Sequence, residues 1–259
     1  MIDILQKIAQ YKIEEVRKSK EIRPLEKLKE KPFYTRDCYS AKAAILKSET
    51  GIIAEFKRKS PSKPSINLEA VSTQIIPSYA DHGASAISIL TDNHFFGGDI
   101  AFMSENREVE VPFLRKEFII DAYQVYEAKA YGADFILLIA AILTKEQIIT
   151  FTDLTHELGM EVLLEFHAGE ELDKMYKAVD LVGINNRNLK TFEVNLNHAI
   201  QMRASLSNNH ICVAESGIQS VEDYIQLKHN GFDAFLMGEY FMKHSNPGLA
   251  LETFIQNVK

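Results

Sequence analysis

The sequence predicts an α/β protein: a single (β/α)8 TIM barrel over residues 49–259, preceded by an N-terminal helical extension over residues 1–48. Three observations predict it. After Gly51, eight short and nearly continuous apolar runs recur, each followed by a polar loop and a helix-like amphipathic segment. That texture marks parallel βα units whose sheet is covered by helices on its outer face. Eight units in about 210 residues also match the usual size of such a barrel. Finally, the GxGxxG turn of an open doubly wound sheet, the alternative arrangement, is missing.

Taken in order, the extension comes first. Ile4, Leu5, Ile8, Ile13 and Val16 form an apolar stripe amid Lys, Glu and Gln, and "SAKAAILKS" predicts a further helix before Gly51. The strand runs are then "GIIAEFK", "SAISILT", "VPFLRKEFI", "DFILLIA", "MEVLLEF", "LVGIN", "HICVAES" and "DAFLMG". Between them, Asp121 with Gln124 and Ser220 with Asp223 have the spacing of capping boxes, which start helices.

Composition narrows the function. Hydrophobic residues make up 46% of 259, enough for one large core. A net charge of -7 argues against general affinity for nucleic acid or an anionic membrane. No apolar run is long enough to span a bilayer, and the N-terminus lacks the order of a secretory signal. Cys38 and Cys212 make no CxxC, which suits a reducing cytoplasm. The eight histidines show no HxH or HExxH spacing, so no metal site is expected.

The chemistry collects at strand ends. In "IIAEFKRKSPSKPS", Glu55 and Lys57 share one strand face and Phe56 takes the other. In a barrel, that sends Glu55 and Lys57 into the C-terminal mouth, where catalytic groups sit. Lys116 closes "FLRK", Glu165 closes "VLLE", Asn185 closes "VGIN", and Glu215 with Ser216 closes "VAES". Strand ends meet water, so one polar residue there means little. Several lysines and glutamates converging on one rim mean acid–base chemistry. Gly217 and Gly238 each stand between a strand and a helix start at the seventh and eighth units. Such glycines let backbone N–H groups approach an anion, and with Lys59 and Ser60 on the first loop they predict a phosphate site.

These stretches resemble the indole-3-glycerol-phosphate synthase family of tryptophan biosynthesis. "IIAEFKRKSPSKP", "ISILTDNHFFGG", "FLRKEFIID", "GADFILLIAAIL", "LLEFH", "VGINNRNL", "VAESGI" and "FLMGEYFM" occur in family order from Gly51 nearly to the C-terminus. The resemblance implies a carbon–carbon lyase that closes a carboxyphenylamino-deoxyribulose phosphate to an indole, losing carbon dioxide and water, without metal or organic cofactor. It implies Lys116 as the general acid of ring closure. Glu165 and Lys57 would assist dehydration, with Glu55 holding the lysines. Asn185, Ser216, Arg187 and Glu215 would bind substrate, and Phe96 and Phe118 would wall its ring. Lys59, Ser60, Gly217, Gly238 and the Glu239 loop would hold the phosphate.

Further expectations attach to that reading. A lysine acting as acid near neutral pH should have its pKa lowered by burial or neighbouring ammonium groups. Glu117 replaces the commoner Asp of "LRKDF", and Glu239 puts an anion at a phosphate loop. His167, beyond "LLEF", could reach substrate, but an exposed loop is the expected place for it. The extension is either a lid over substrate or plain packing. The partners expected are one phosphorylated small molecule and no nucleic acid or membrane, for a monomer in the cytoplasm. Two rivals remain: another phosphosugar barrel such as phosphoribosylanthranilate isomerase, which would want a Cys–Asp pair at strand ends, and a barrel that binds without turnover.

Overall fold

A computed structural model describes residues 4–187, 193–207 and 209–259. The eight apolar runs form eight strands: β1 Ile52–Phe56, β2 Ala86–Leu90, β3 Phe113–Lys116, β4 Phe135–Ile139, β5 Glu161–Phe166, β6 Leu181–Asn185, β7 Ile211–Glu215 and β8 Ala234–Met237. All neighbours are parallel and β8 pairs back onto β1, closing the barrel. The (β/α)8 barrel predicted from the sequence is the fold observed. Both capping boxes form at Asp121 and Ser220, and Thr144 with Gln147 adds another.

Strand alternation divides the apolar side chains into two cores. Ile52, Ala54 and Phe56 face outward and pack with the helices, together with Val162, Leu164 and Phe166. Ile53, Leu114, Leu137, Leu163, Val213 and Leu236 face inward and fill the barrel. Since Ile53 points inward, Glu55 and Lys57 follow it onto the inner face above that filling. Phe56 instead meets Phe102 edge-on at 5.6 Å outside the barrel.

Both ends of the N-terminal segment reach the inner core. Leu5 and Ile8, on the helix Ile4–Ile22, join it from the mouth. Ala41 and Ile45, on the helix Ala41–Lys47, join the same cluster. Ser40 and Lys42 bond Glu161 where β5 begins, so this second helix lies across the opposite end.

The buried stripe of the first helix differs from the sequence reading. Ile13 is 58% exposed, and Lys12 is buried in its place with Leu5, Ile8 and Val16. The helical period puts position 12, not 13, between 8 and 16 on one face. Lys12 tolerates burial because its ammonium lies 2.8 Å from Asp92, 2.9 Å from Glu117 and 2.9 Å from Glu15. Burial alone would lower its pKa, but these carboxylates outweigh that and hold it above the ordinary lysine value. Asp92 in turn caps Phe95 and Phe96, and Glu117 accepts the N–H of Phe118.

Removing one partner of a buried ion cluster leaves the others uncompensated. Lys12→Met should therefore cost about 3–5 kcal/mol of unfolding free energy, read from urea denaturation. A loss below 1 kcal/mol, roughly the worth of an exposed pair, would show that Lys12 is not held as described.

Candidate active site

One cavity at the C-terminal mouth gathers nearly all the residues singled out from the sequence. Glu55, Lys57, Phe96, Lys116, Phe118, Glu165, Asn185, Arg187 and Glu215 line it, as do Ser60, Ser216, Gly217, Gly238 and Glu239. Ile4, Leu5 and Ile8 of the first helix complete one wall, and Leu137, Ile139 and Leu236 lie at its base.

At the centre, the Lys116 ammonium donates to Glu165 Oε2 at 2.8 Å and to Glu215 Oε2 at 2.6 Å. The three side chains come from β3, β5 and β7 and are almost wholly shielded, Lys116 being 14% exposed. Beside them Lys57 donates to Glu55 Oε1 at 2.5 Å, and Ser88 donates to Glu55 Oε2 at 3.2 Å. Asn185 Nδ2 donates to Glu165 Oε1 at 3.3 Å and its Oδ1 accepts the N–H of Arg187. On the apolar side Phe96 and Phe118 stand 5.9 Å apart and tilted, forming a wall for a flat ring.

The opposite side suits an anion. Ser216 has φ 65 and Gly217 φ 75, two successive left-handed residues at the end of β7, which turn the backbone sharply into the cavity rim. Left-handed conformation is costly for serine and is the kind of strain concentrated at functional sites. Asn186 Nδ2 donates to the Ser216 carbonyl at 2.7 Å and fixes this turn. After β8, the short helix Glu239–Met242 starts at Gly238 with no side-chain cap on its first N–H groups.

The comparisons with known proteins agree with this geometry. The family model described as indole-3-glycerol phosphate synthase matches residues 5–254. The chain belongs to the indole-3-glycerol phosphate synthase family. It is 45% identical over 260 aligned positions to the indole-3-glycerol phosphate synthase of Bacteroides thetaiotaomicron, covering all of both chains. It is 40% identical to that of Laribacter hongkongensis, over 97% of this chain and 98% of the relative. Among solved structures, tryptophan synthase subunit alpha of Legionella pneumophila superposes with a TM-score of 0.62 at 12% identity, over 84% of this chain and 97% of that one. The 3-hexulose-6-phosphate synthase of Salmonella typhimurium gives 0.62 at 12%, over 81% and 100%. At that identity the two structures share the fold alone.

Four features differ from the expectations read from the sequence. Lys59 does not line the cavity: β1 ends at Phe56, the chain turns, and the Lys59 ammonium reaches the His94 carbonyl at 3.1 Å. Lys63, which the sequence reading passed over, is exposed and reaches Glu239, which does line the cavity. It meets Glu239 at 2.5 Å, tying the loop after β1 to the helix start after β8 and neutralising the carboxylate. Glu117, the variation beside Lys116, is occupied by Lys12, and Lys12 with Arg115 holds its carboxyl below the usual range despite burial.

The third difference is the protonation of Lys116. Burial pulls its pKa down, but Glu165, Glu215 and Glu55 together outweigh burial and hold it above the ordinary lysine value. The nearest charges are carboxylates and not the ammonium groups expected, so the shift runs upward. The two partners diverge. Glu165 is held well below the usual carboxylate range, against burial, by Lys116 and then His167. Glu215 is pushed well above it by burial and by the charge of Glu165.

The fourth is His167. It is not an exposed loop residue: its side chain is 8% exposed, lines the cavity, and brings Nε2 to 2.8 Å from Glu165 Oε1. Alternation along β5 explains this, because position 167 follows 163 and 165 onto the inner face. Of the "VGINNRNL" stretch, residues 188 and 189 lie outside the described residues.

Glycine at 183 is required by Glu215. A Cβ there would fall 2.2 Å from Glu215 Oε1 and 3.3 Å from Leu163 Cδ1. Gly183→Ala should therefore push Glu215 off Lys116 and lower kcat by about tenfold or more, equivalent to roughly 1.4 kcal/mol of barrier. Steady-state kinetics with a melting curve check it, and an alanine variant with wild-type kcat would show that Glu215 has room to move.

Proposed function

We propose that this cavity closes 1-(2-carboxyphenylamino)-1-deoxyribulose 5-phosphate to indole-3-glycerol phosphate with loss of carbon dioxide and water, the lyase step of tryptophan biosynthesis that gives the family its name. The observation that carries the reading is the Lys116 ammonium, fixed between Glu165 and Glu215 with an aromatic wall on one side and an anion-suited rim on the other.

The steps follow from charge. The substrate's benzene ring lies along Phe96 and Phe118, its phosphate at the rim of Ser60, Gly217 and Gly238, and its carboxylate near Lys57 and Arg187. The ring carbon bearing the carboxylate attacks the ketone, and Lys116 gives its proton to the ketone oxygen as that oxygen becomes a hydroxyl. Carbon dioxide leaves and its bonding pair restores the aromatic ring. The hydroxyl then departs as water with a proton from Lys57. The adjacent methylene loses a proton to Glu165, whose low pKa keeps it ionised. Glu55 holds Lys57 in place, while Asn185, Ser216 and Glu215 hydrogen-bond the substrate.

The Glu55–Lys57 and Lys116–Glu165 pairs are intact, which speaks against a barrel that only binds. Cys212 points away from the barrel interior into the outer core, and Cys38 lies before β1. Neither serves the Cys–Asp isomerase chemistry. The residues 1–48 segment acts in this reading as part of the site, through Leu5 and Ile8. No helix among the described residues is long and apolar enough to cross a membrane. We place the enzyme in the cytoplasm as a monomer without affinity for nucleic acid, in keeping with its net charge of -7.

Adding the carboxyphenylamino substrate and following indole fluorescence tests the whole assignment. Silence of the purified protein would refute it. Lys116→Arg tests the acid role, because arginine keeps the charge but holds its proton too tightly to donate it. A lost general acid typically costs about 10²–10⁴ in rate. The Arg variant should bind substrate within a few-fold of wild type and lose most of kcat in single-turnover kinetics. Turnover near the wild-type rate would remove Lys116 from that role. For the rim, inorganic phosphate should compete with substrate, raising apparent KM at unchanged kcat, and absence of inhibition would move the phosphate elsewhere.

A further inference from the structure

Two buried carboxylates share one lysine in this site, and the mechanism needs one of them ionised. We propose that His167 makes the choice: its imidazole stabilises the charge on Glu165 and leaves Glu215 to carry the proton that the pair shares. This rests on reading Glu165 as the base of the dehydration.

The geometry is unequal. Lys116 touches Glu165 and Glu215 at nearly the same distance, 2.8 and 2.6 Å, so it cannot decide between them. Glu165 has two further neighbours on Oε1, His167 Nε2 at 2.8 Å and Asn185 Nδ2 at 3.3 Å. Glu215 Oε1 is buried and meets no hydrogen-bond donor among the described residues. Two carboxylates and one ammonium out of water leave a surplus negative charge, which a single proton removes most cheaply. It belongs on the carboxylate with less support, Glu215.

The surroundings hold the His167 backbone in place. His167 N–H donates to Glu171 Oε2 at 2.7 Å, and its carbonyl faces His198 Nε2 at 3.2 Å from the helix Leu196–Ala204. Glu171 also lies 4.0 Å from Nδ1, on the side away from Glu165. Both ring nitrogens are buried, and the 2.8 Å approach of Nε2 to Glu165 Oε1 brings the imidazole's charge and dipole to bear on that carboxylate. Lys116 from β3 and Arg187 beyond β6 line the same cavity and oppose a positive ring, while Glu55 from β1 acts on Lys116. With a proton on Nε2 the ring supports an ionised Glu165 whether the imidazole is neutral or charged.

Glu165 works as a carboxylate, so kcat falls as pH drops through its pKa. Without His167 it becomes a weaker acid, and the fall begins at higher pH. The acid limb of kcat against pH in His167→Gln should move up by about one unit, a tenfold loss within the limb, with KM within about threefold of wild type. Adding Glu215→Gln should bring the limb back toward its wild-type position, whatever the amplitude, because the neutral glutamine removes the surplus negative charge that drove Glu165 to take a proton. Imidazole added to His167→Ala should likewise lower the limb, a response that a packing role would not produce. A limb in His167→Gln that overlays the wild type, or one that stays shifted in the double variant, overturns the proposal. Failure of the underlying reading looks different: Glu165→Gln would then keep wild-type kcat.

Discussion

Everything at the mouth of this barrel is arranged around one ammonium held by two carboxylates. Lys116, Glu165 and Glu215 come from three alternate strands, so no local segment could make the cluster. Taking such groups out of water costs several kcal/mol per ion, which only close pairing offsets. The barrel must therefore close in one register, with Glu165 level with Gly183 and Asn185 level with Glu215. Gly183 leaves the volume into which Glu215 fits. Gly238 does the same for Glu55, since a Cβ there would lie 2.7 Å from Glu55 Oε1. A glycine taken from the sequence as a phosphate contact thus has a prior duty to a carboxylate.

The same arrangement recurs where the first helix docks. Lys12 sits between Asp92 and Glu117 as Lys116 sits between Glu165 and Glu215. Here the product is position. Asp92 fixes the N–H groups of the turn bearing Phe96, and Glu117 fixes the N–H of Phe118. The helix therefore does two things at once: Leu5 and Ile8 enclose the cavity, and Lys12 anchors the strand ends that carry its aromatic wall. The sequence posed lid and packing as alternatives, and the same helix supplies both the cavity-lining Leu5 and Ile8 and the packed Lys12.

Much of this was legible because strand alternation is strict. A run such as "IIAEF" announces which side chains face inward, and the rule that located Glu55 and Lys57 needed no structure. Applied two residues past Glu165 it reaches His167, and two past Asn185 it reaches Arg187. The histidine was misplaced by treating the residue after "LLEF" as loop. Lys59 shows where the rule stops, since the strand ended three residues earlier and the chain had turned. Lys12 failed for another reason. Hydrophobic periodicity looks for apolar residues, and besides Glu15 the buried lysine is held by Asp92 and Glu117, far away in the chain, which no local pattern displays. Lys63 was hidden likewise, because its partner Glu239 lies on the loop after the last strand.

The upward shift of Lys116 recasts what the site asks of its acid. A lysine with a lowered pKa donates readily but spends part of its time without a proton to give. Held among Glu165, Glu215 and Glu55, Lys116 is always loaded at neutral pH. In the proposed acid role its donation is driven by the acceptor: as the ring carbon bonds to the ketone, the oxygen gains the charge of an alkoxide, a stronger base than an amine. The proton moves when the bond forms and not before, so ring closure and protonation are tied together. Once the neutral amine is left between carboxylates, the same electrostatics favour its recharging. On the proposed sharing of the proton, Glu215 is the group placed to supply it, 2.6 Å from the Lys116 ammonium. On that proposal, the cluster that makes Lys116 a reluctant acid in the resting enzyme also restores it for the next turnover.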